Sequence, residues 1–222
     1  MTGGTEQSVH SPVRDESTLR MLSIAGIAGS VLFWVVVVVL GVVTPGYSVV
    51  SDYISTLGAI NAPYAIVQRA NFVMFGGSIL AFAFGLDRWS REGRRLWLGI
   101  VLIGVFGAGI VGAGVFQDDV ANPHSTTAQI HQLVSGVAFV AALIGMSLAS
   151  WEFERSERWP EYRYRFTSVG LAIVLFASLA VFRVGLDTWW VGVAQRQFLL
   201  LLTGWIVLHA VTLYRLTRRP QD

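Results

Sequence analysis

The chain has 222 residues, 54% of them hydrophobic and 14% charged, and no cysteine; its mean hydropathy is +0.58. A soluble domain of this size carries roughly a quarter charged residues, so most of this chain faces lipid or other helices. Six spans of about 20 residues use up the length and leave no room for a separate soluble domain. Disulfides and thiolate metal sites are excluded. The isoelectric point near 9.3 comes from arginines in short loops beside apolar runs, so it marks membrane orientation and headgroup contact, and no nucleic-acid partner is expected.

Residues 1–18 are polar and rich in Ser, Thr and Gly, and read as a disordered tail. Residues 19–216 are expected to form the transmembrane domain and 217–222 a second tail. The first span covers residues 22–43, including the Val35–Val39 run. It is too long for a signal-peptide core and is followed by the turn Thr44-Pro45-Gly46, so it is retained. Residues 44–65 form the longest connection on the far side. Within it, Tyr53-Ile54-Ser55-Thr56-Leu57-Gly58-Ala59 is too apolar for a solvated loop and predicts a short interfacial or re-entrant helix folded against the bundle.

Span 2 is expected over residues 66–86, with Gln68, Arg69 and Asn71 in its opening turns, and a loop 87–95 carries four arginines. Span 3, residues 96–116, is rich in glycine. Gly104, Ala108 and Gly112 recur every four residues, a small-residue stripe that places this helix in the middle of the bundle or at an oligomer contact. Residues 117–126 hold Asp118, Asp119 and His124, and span 4, residues 127–151, opens on His131. The loop 152–165 again carries four arginines; span 5 covers 166–186 with Arg183 near its end, and span 6 covers 193–214, opening on Gln195-Arg196.

All 16 basic residues are arginine, a coding bias of a GC-rich microbial genome without mechanistic content. Arg14, Arg20, Arg88, Arg91, Arg94, Arg95, Arg155, Arg158, Arg163, Arg165, Arg215, Arg218 and Arg219 fall on one side of the six-span pattern, and Arg69, Arg183 and Arg196 on the other. Arginine-rich short loops stay cytoplasmic, so both termini are expected inside the cell membrane of a prokaryote. The even span count agrees.

The outer side then gathers the residues capable of chemistry. Arg69, Arg183 and Arg196 face Asp52, Asp118, Asp119 and Asp187, a near balance that predicts a network of ion pairs. Guanidinium groups suit phosphate or carboxylate because they donate paired hydrogen bonds. The leading reading is therefore an outer polar pocket for a lipid headgroup or small polar ligand, held by Arg69, Asn71, Arg183, Arg196, Gln195 and Asp52. The runner-up is a lipid-modifying enzyme or hydrolase with His131, Asp118 and Ser55 as catalytic candidates. The third reading is a structural or assembly protein whose polar cluster braces the helix ends. Asp118, Asp119, His124 and His131 are weak metal candidates whose spacing fits no metal motif, and no cofactor is expected. The apolar midplane counts against a coupled transporter.

The segment Tyr53–Ala59, Asn71 with Gly76-Gly77, Gly114-Val115-Phe116-Gln117-Asp118, Ile130-His131, and Gln195-Arg196 with Trp205 together resemble the prokaryotic membrane family called domain of unknown function 998. The resemblance covers residues 20–216 and implies six spans without an established activity. The chain departs from the pattern at Thr56, where an acidic residue is common, and at Gln117, where proline is common. More distantly, the Ile-Ser-x-Leu-Gly loop and span-opening histidine are similar to six-span proteins of the autophagy-modulator and GPI-lipid-remodelling type, which implies lipid handling. The expected fold is all-α, a bundle of six transmembrane helices.

Overall fold

The computed structural model describes residues 16–90, 93–159 and 167–218. Among them the chain forms six α-helices and no strand: α1 Glu16–Val43, α2 Ala65–Ser90, α3 Arg94–Val115, α4 Thr126–Phe153, α5 Thr167–Gly185 and α6 Val191–Leu216. A 3-10 helix, Ile54–Gly58, lies in the connection between α1 and α2. All six α-helices are long and apolar enough to cross a membrane, and the protein is a multi-pass membrane protein. At 1.5 Å per residue, even the shortest covers most of a hydrocarbon core about 30 Å thick.

Several helices extend beyond the apolar windows that predict them. α1 begins at Glu16, inside the tail expected over residues 1–18, because Glu16 and Arg20 pair one turn apart at 2.8 Å. Residues 1–15 of that tail lie outside the described residues, as do Arg91, Arg163, Arg165 and residues 219–222. α4 starts at Thr126 because Ser125 is its N-cap, its side chain accepting from the Ala128 amide.

Consecutive helices pack side by side and α1 returns against α6, closing a ring. α6 is the most enclosed helix and also reaches α2 and α4. The core is aromatic: Phe33 stacks on Phe75 with ring centroids 4.4 Å apart, and Phe139, Phe182 and Phe198 contact one another as a triad. The opposite helix faces carry exposed Val38, Ile66 and Val184, so these helices are apolar all round, as lipid requires.

Within one copy of the chain, the Gly104–Ala108–Gly112 stripe of α3 is not where its neighbours come closest. Gly104 has open space around it and Ala108 is exposed. Close approach is made on the two flanking faces. A Cβ on Gly76 would lie 2.5 Å from the Gly107 carbonyl oxygen, and one on Gly145 would lie 2.8 Å from that of Gly99. A Cβ on Gly109 would meet Ala138 at 2.6 Å. α3 thus sits between α2 and α4, and α6 takes the interior position assigned to α3 by composition.

At the end bearing the termini, Arg20 Nη2 donates to the Thr217 carbonyl at 2.8 Å, tying α1 to the end of α6. Beside it, His209 is fully buried on α6, its Nδ1 hydrogen-bonded to the Trp205 carbonyl and its ring stacked on Trp205 at 3.9 Å. Trp205 Nε1 donates to Ser150 Oγ at 2.9 Å, joining α6 to α4.

Gly76→Leu should lower thermal stability in detergent by about 1–3 kcal/mol, because its Cβ meets helix backbone that has no room to yield. Gly104→Leu, pointing into open space, should leave the melting temperature unchanged; equal losses in both would contradict this packing.

Candidate functional site at the face opposite the termini

The connection from Thr44 to Tyr64 lies across the helix ends opposite the termini, and its apolar centre is buried. Ile54 and Leu57 are inaccessible, and Gly58 and Ala59 are buried behind them. The expected short helix is the 3-10 helix Ile54–Gly58. Its spacing explains the burial: in a 3-10 turn, residues three apart share a face, which puts Ile54 and Leu57 together against the bundle. Asn61 leaves this helix at φ 66°, a left-handed conformation that asparagine tolerates.

Irregular backbone at this depth requires partners for its polar groups, and α6 supplies them. Gln195 Oε1 accepts from the Ile54 amide at 2.7 Å. Arg196 Nη1 donates to the carbonyls of Asp52 and Gly192, both at 2.9 Å, and Nη2 donates to the Tyr47 hydroxyl. The Tyr47 hydroxyl in turn donates to the Tyr53 carbonyl at 3.0 Å. Val193 N reaches the Val50 carbonyl at 3.2 Å, satisfying an amide in the first turn of α6. The contact needs glycine at position 192, where a Cβ would stand 2.5 Å from the Asp52 carbonyl oxygen. Burial raises the Tyr47 pKa above the usual phenol value, against the lowering effect of Arg196, so Tyr47 remains a hydrogen-bond donor at neutral pH.

A second group forms around the C-terminus of α3, where the last carbonyls lack helical partners. Arg69 Nε donates to Gly114 O at 3.0 Å and Nη2 to Val115 O at 3.1 Å. From the other side, His131 Nδ1 contacts the carbonyls of Ala113 at 3.1 Å and Phe116 at 2.9 Å. Both partners are acceptors, so Nδ1 is the donating nitrogen in these contacts. A Cβ on Gly114 would lie 2.7 Å from the Arg69 carbonyl oxygen, so α2 and α3 meet closely beneath these side chains.

Asp118 joins the two groups. Its Oδ2 accepts from Ser55 Oγ at 2.9 Å, and its carbonyl accepts from the Ile60 amide at 2.9 Å. Below the loop, Gln68 and Asn71 are buried on α2: Asn71 Nδ2 donates to Phe33 O at 3.2 Å and to Gln68 Oε1 at 3.3 Å.

The structure therefore brings together Asp52, Arg196 and Gln195 at one station, Arg69 and His131 at another, and Ser55 with Asp118 between them. It does not form the expected ion pairs. Among the described residues the one pair within 4.0 Å is Arg20–Glu16, on the opposite face. The arginines go to backbone carbonyls because unpaired helix-end and loop carbonyls lie nearer, while Asp52 is engaged by the Ser48 amide at 2.7 Å. Arg183 is exposed near the end of α5, outside both stations. His124 is exposed, and Asp119 Oδ1 accepts from the Asn122 amide. No three of the His, Asp and Glu side chains among the described residues meet as a metal-binding group. Ser55 hydrogen-bonds Asp118 and His131 hydrogen-bonds backbone, so Ser55 and His131 share no hydrogen bond. Sequence reasoning missed Tyr47 and Gly192. The tyrosine's position after the Thr44-Pro45-Gly46 turn, facing the start of α6, was the available indication.

No curated protein and no solved structure matches the chain, which leaves the more distant likeness to autophagy and GPI-remodelling proteins without support. Residues 27–212 match the family described as protein of unknown function DUF998. That match runs from within α1 to within α6 and takes in the four helices between, the buried loop and every residue of the two stations, and the chain belongs to this family.

Proposed function

We propose that the loop and the helix ends beneath it form a cationic rim that engages a lipid headgroup or small anionic ligand on the extracytoplasmic side, with both termini in the cytoplasm of a prokaryotic cell. The observation that carries this reading is the state of the two half-buried arginines. A guanidinium has five N–H donors. Arg69 uses Nε and one Nη2 hydrogen on carbonyls, and Arg196 uses its Nη1 hydrogens and one on Nη2. Each keeps at least two donors, and no carboxylate lies within 4.0 Å of either among the described residues. The side chains are held in position by neutral acceptors while their charge remains available, which pre-organises them for a phosphate or carboxylate. Arg183, exposed near the end of α5, adds a third cation to the rim.

A second reading has its own support: both bonds of Arg69 and two of the three from Arg196 end on backbone, the third on the Tyr47 hydroxyl, so the same groups would serve as a brace for a structural protein. The two readings separate experimentally. Arg69→Gln and Arg196→Gln should each reduce retention of phosphatidylglycerol on the purified protein, measured by native mass spectrometry, by roughly fivefold, following about 1 kcal/mol per basic residue near an anionic surface. Phosphatidylcholine retention should change little. Unchanged phosphatidylglycerol retention together with a lowered melting temperature would replace the headgroup reading with the brace.

Tyr47→Phe removes the hydroxyl shared by Arg196 and Tyr53 but no charge. It should lower stability by about 0.5–1.5 kcal/mol while preserving the preference for anionic lipid. Loss of that preference would mean that Arg196 acts through Tyr47 and not through its own charge.

A further inference from the structure

A groove of about 620 Å³ runs down the seam between α1 and α6, and Arg196 stands one helical turn before Leu200, the first α6 residue that lines it. Arg196, Leu200, Thr203, Gly204 and Val207 recur at intervals of three and four, so they stand on one face of α6. On α1 the groove runs from Ser30 to Val39, about 14 Å at 1.5 Å per residue. The Tyr47 ring bridges the two helices above it, lying 3.6 Å from where a Gly41 Cβ on α1 would stand and with Arg196 Cζ of α6 5.6 Å from its centroid.

The chemistry of the groove is one-sided. Its polar side chains are already satisfied: Ser30 Oγ donates to Gly26 O at 2.8 Å, Thr203 Oγ1 donates to Leu199 O at 2.9 Å, and Trp34 Nε1 donates to Thr203 Oγ1 at 2.9 Å. Those bonds fix the Trp34 indole across the seam and leave valine and leucine side chains as the walls. Gly204 supplies the depth, since nothing lies within 4 Å of its Cβ position. An apolar channel with a cation bearing unused donors at its membrane-surface end matches one occupant, an anionic phospholipid of the adjacent leaflet.

We infer that the α1–α6 seam is a phospholipid site, with the phosphate on Arg196 and an acyl chain lying between Trp34 and Gly204. This rests on the headgroup reading above and extends it by naming the ligand class and where its chain goes. Phosphatidylglycerol retention is measured by native mass spectrometry for Gly204→Leu, which fills the channel, for Arg196→Gln, and for Gly77→Leu, a control at another open glycine. The expected result is about fivefold lower retention in the first two and no change in the third. Loss in Arg196→Gln alone overturns the groove and leaves the headgroup reading standing; retention in both overturns both. Loss in Gly204→Leu alone describes a chain held without its phosphate and also overturns the proposal. Should Gly204→Leu fail to fold, phosphatidylglycerol with brominated acyl chains decides the matter. Its quenching of tryptophan fluorescence should fall on Trp34→Phe and on Arg196→Gln, and undiminished quenching in either overturns the site.

Discussion

The hydrogen bond from the Ile54 amide to the Gln195 side chain carries more of this architecture than any charged contact. Ile54 is inaccessible and sits in a segment too short to satisfy its own backbone. An amide left unpaired at such depth costs on the order of 1–3 kcal/mol, and in a lipid environment the alternatives to a protein acceptor are few. Gln195 provides that acceptor at 2.7 Å, and Arg196, one residue later, takes the loop's Asp52 carbonyl. Two adjacent side chains on the first turns of α6 thus convert an irregular segment into a lid that can be buried. Glycine at 192 lets the two backbones come close enough for this to happen.

The same logic holds at the end of α3. A helix C-terminus presents unpaired carbonyls and a partial negative charge, and here a guanidinium and an imidazole close on it from α2 and α4. Cations are used at this face as backbone donors. That use holds Arg69 and Arg196 in place, with no carboxylate within 4.0 Å of either among the described residues. At the opposite face the arrangement is different, with Arg20 paired to Glu16 and an aromatic cluster of Phe153, Trp159, Trp205 and His209 filling the space between helices.

The six spans were legible because hydropathy over 20 residues directly reflects the cost of placing backbone and side chains in lipid. The buried loop was legible for a related reason: Tyr53–Ala59 is too apolar to face water. The partners of the arginines were not. Counting charges pairs Arg69 and Arg196 with aspartates, but a guanidinium bonds whatever acceptor lies at the right distance, and carbonyl positions depend on where helices end. Which glycines meet neighbouring helices within the chain was not legible either. Gly104, Ala108 and Gly112 share a face by periodicity, yet which face of α3 meets a neighbour is set by α2 and α4 together, and Gly76, Gly107, Gly109 and Gly145 make the contacts. His209 is wholly buried and stacked on Trp205, a relation spread over one helical turn that residue type alone does not reveal.

Hydrogen–deuterium exchange on the protein in phospholipid nanodiscs reads whether the loop backbone is sealed from water. If Gln195 and Arg196 hold the loop as buried backbone, the Ile54 amide exchanges as slowly as amides within the first turns of α6, and Gln195→Leu accelerates it selectively. Exchange of Ile54 within seconds in the unaltered protein would mean that the lid is open to water, and would contradict the account.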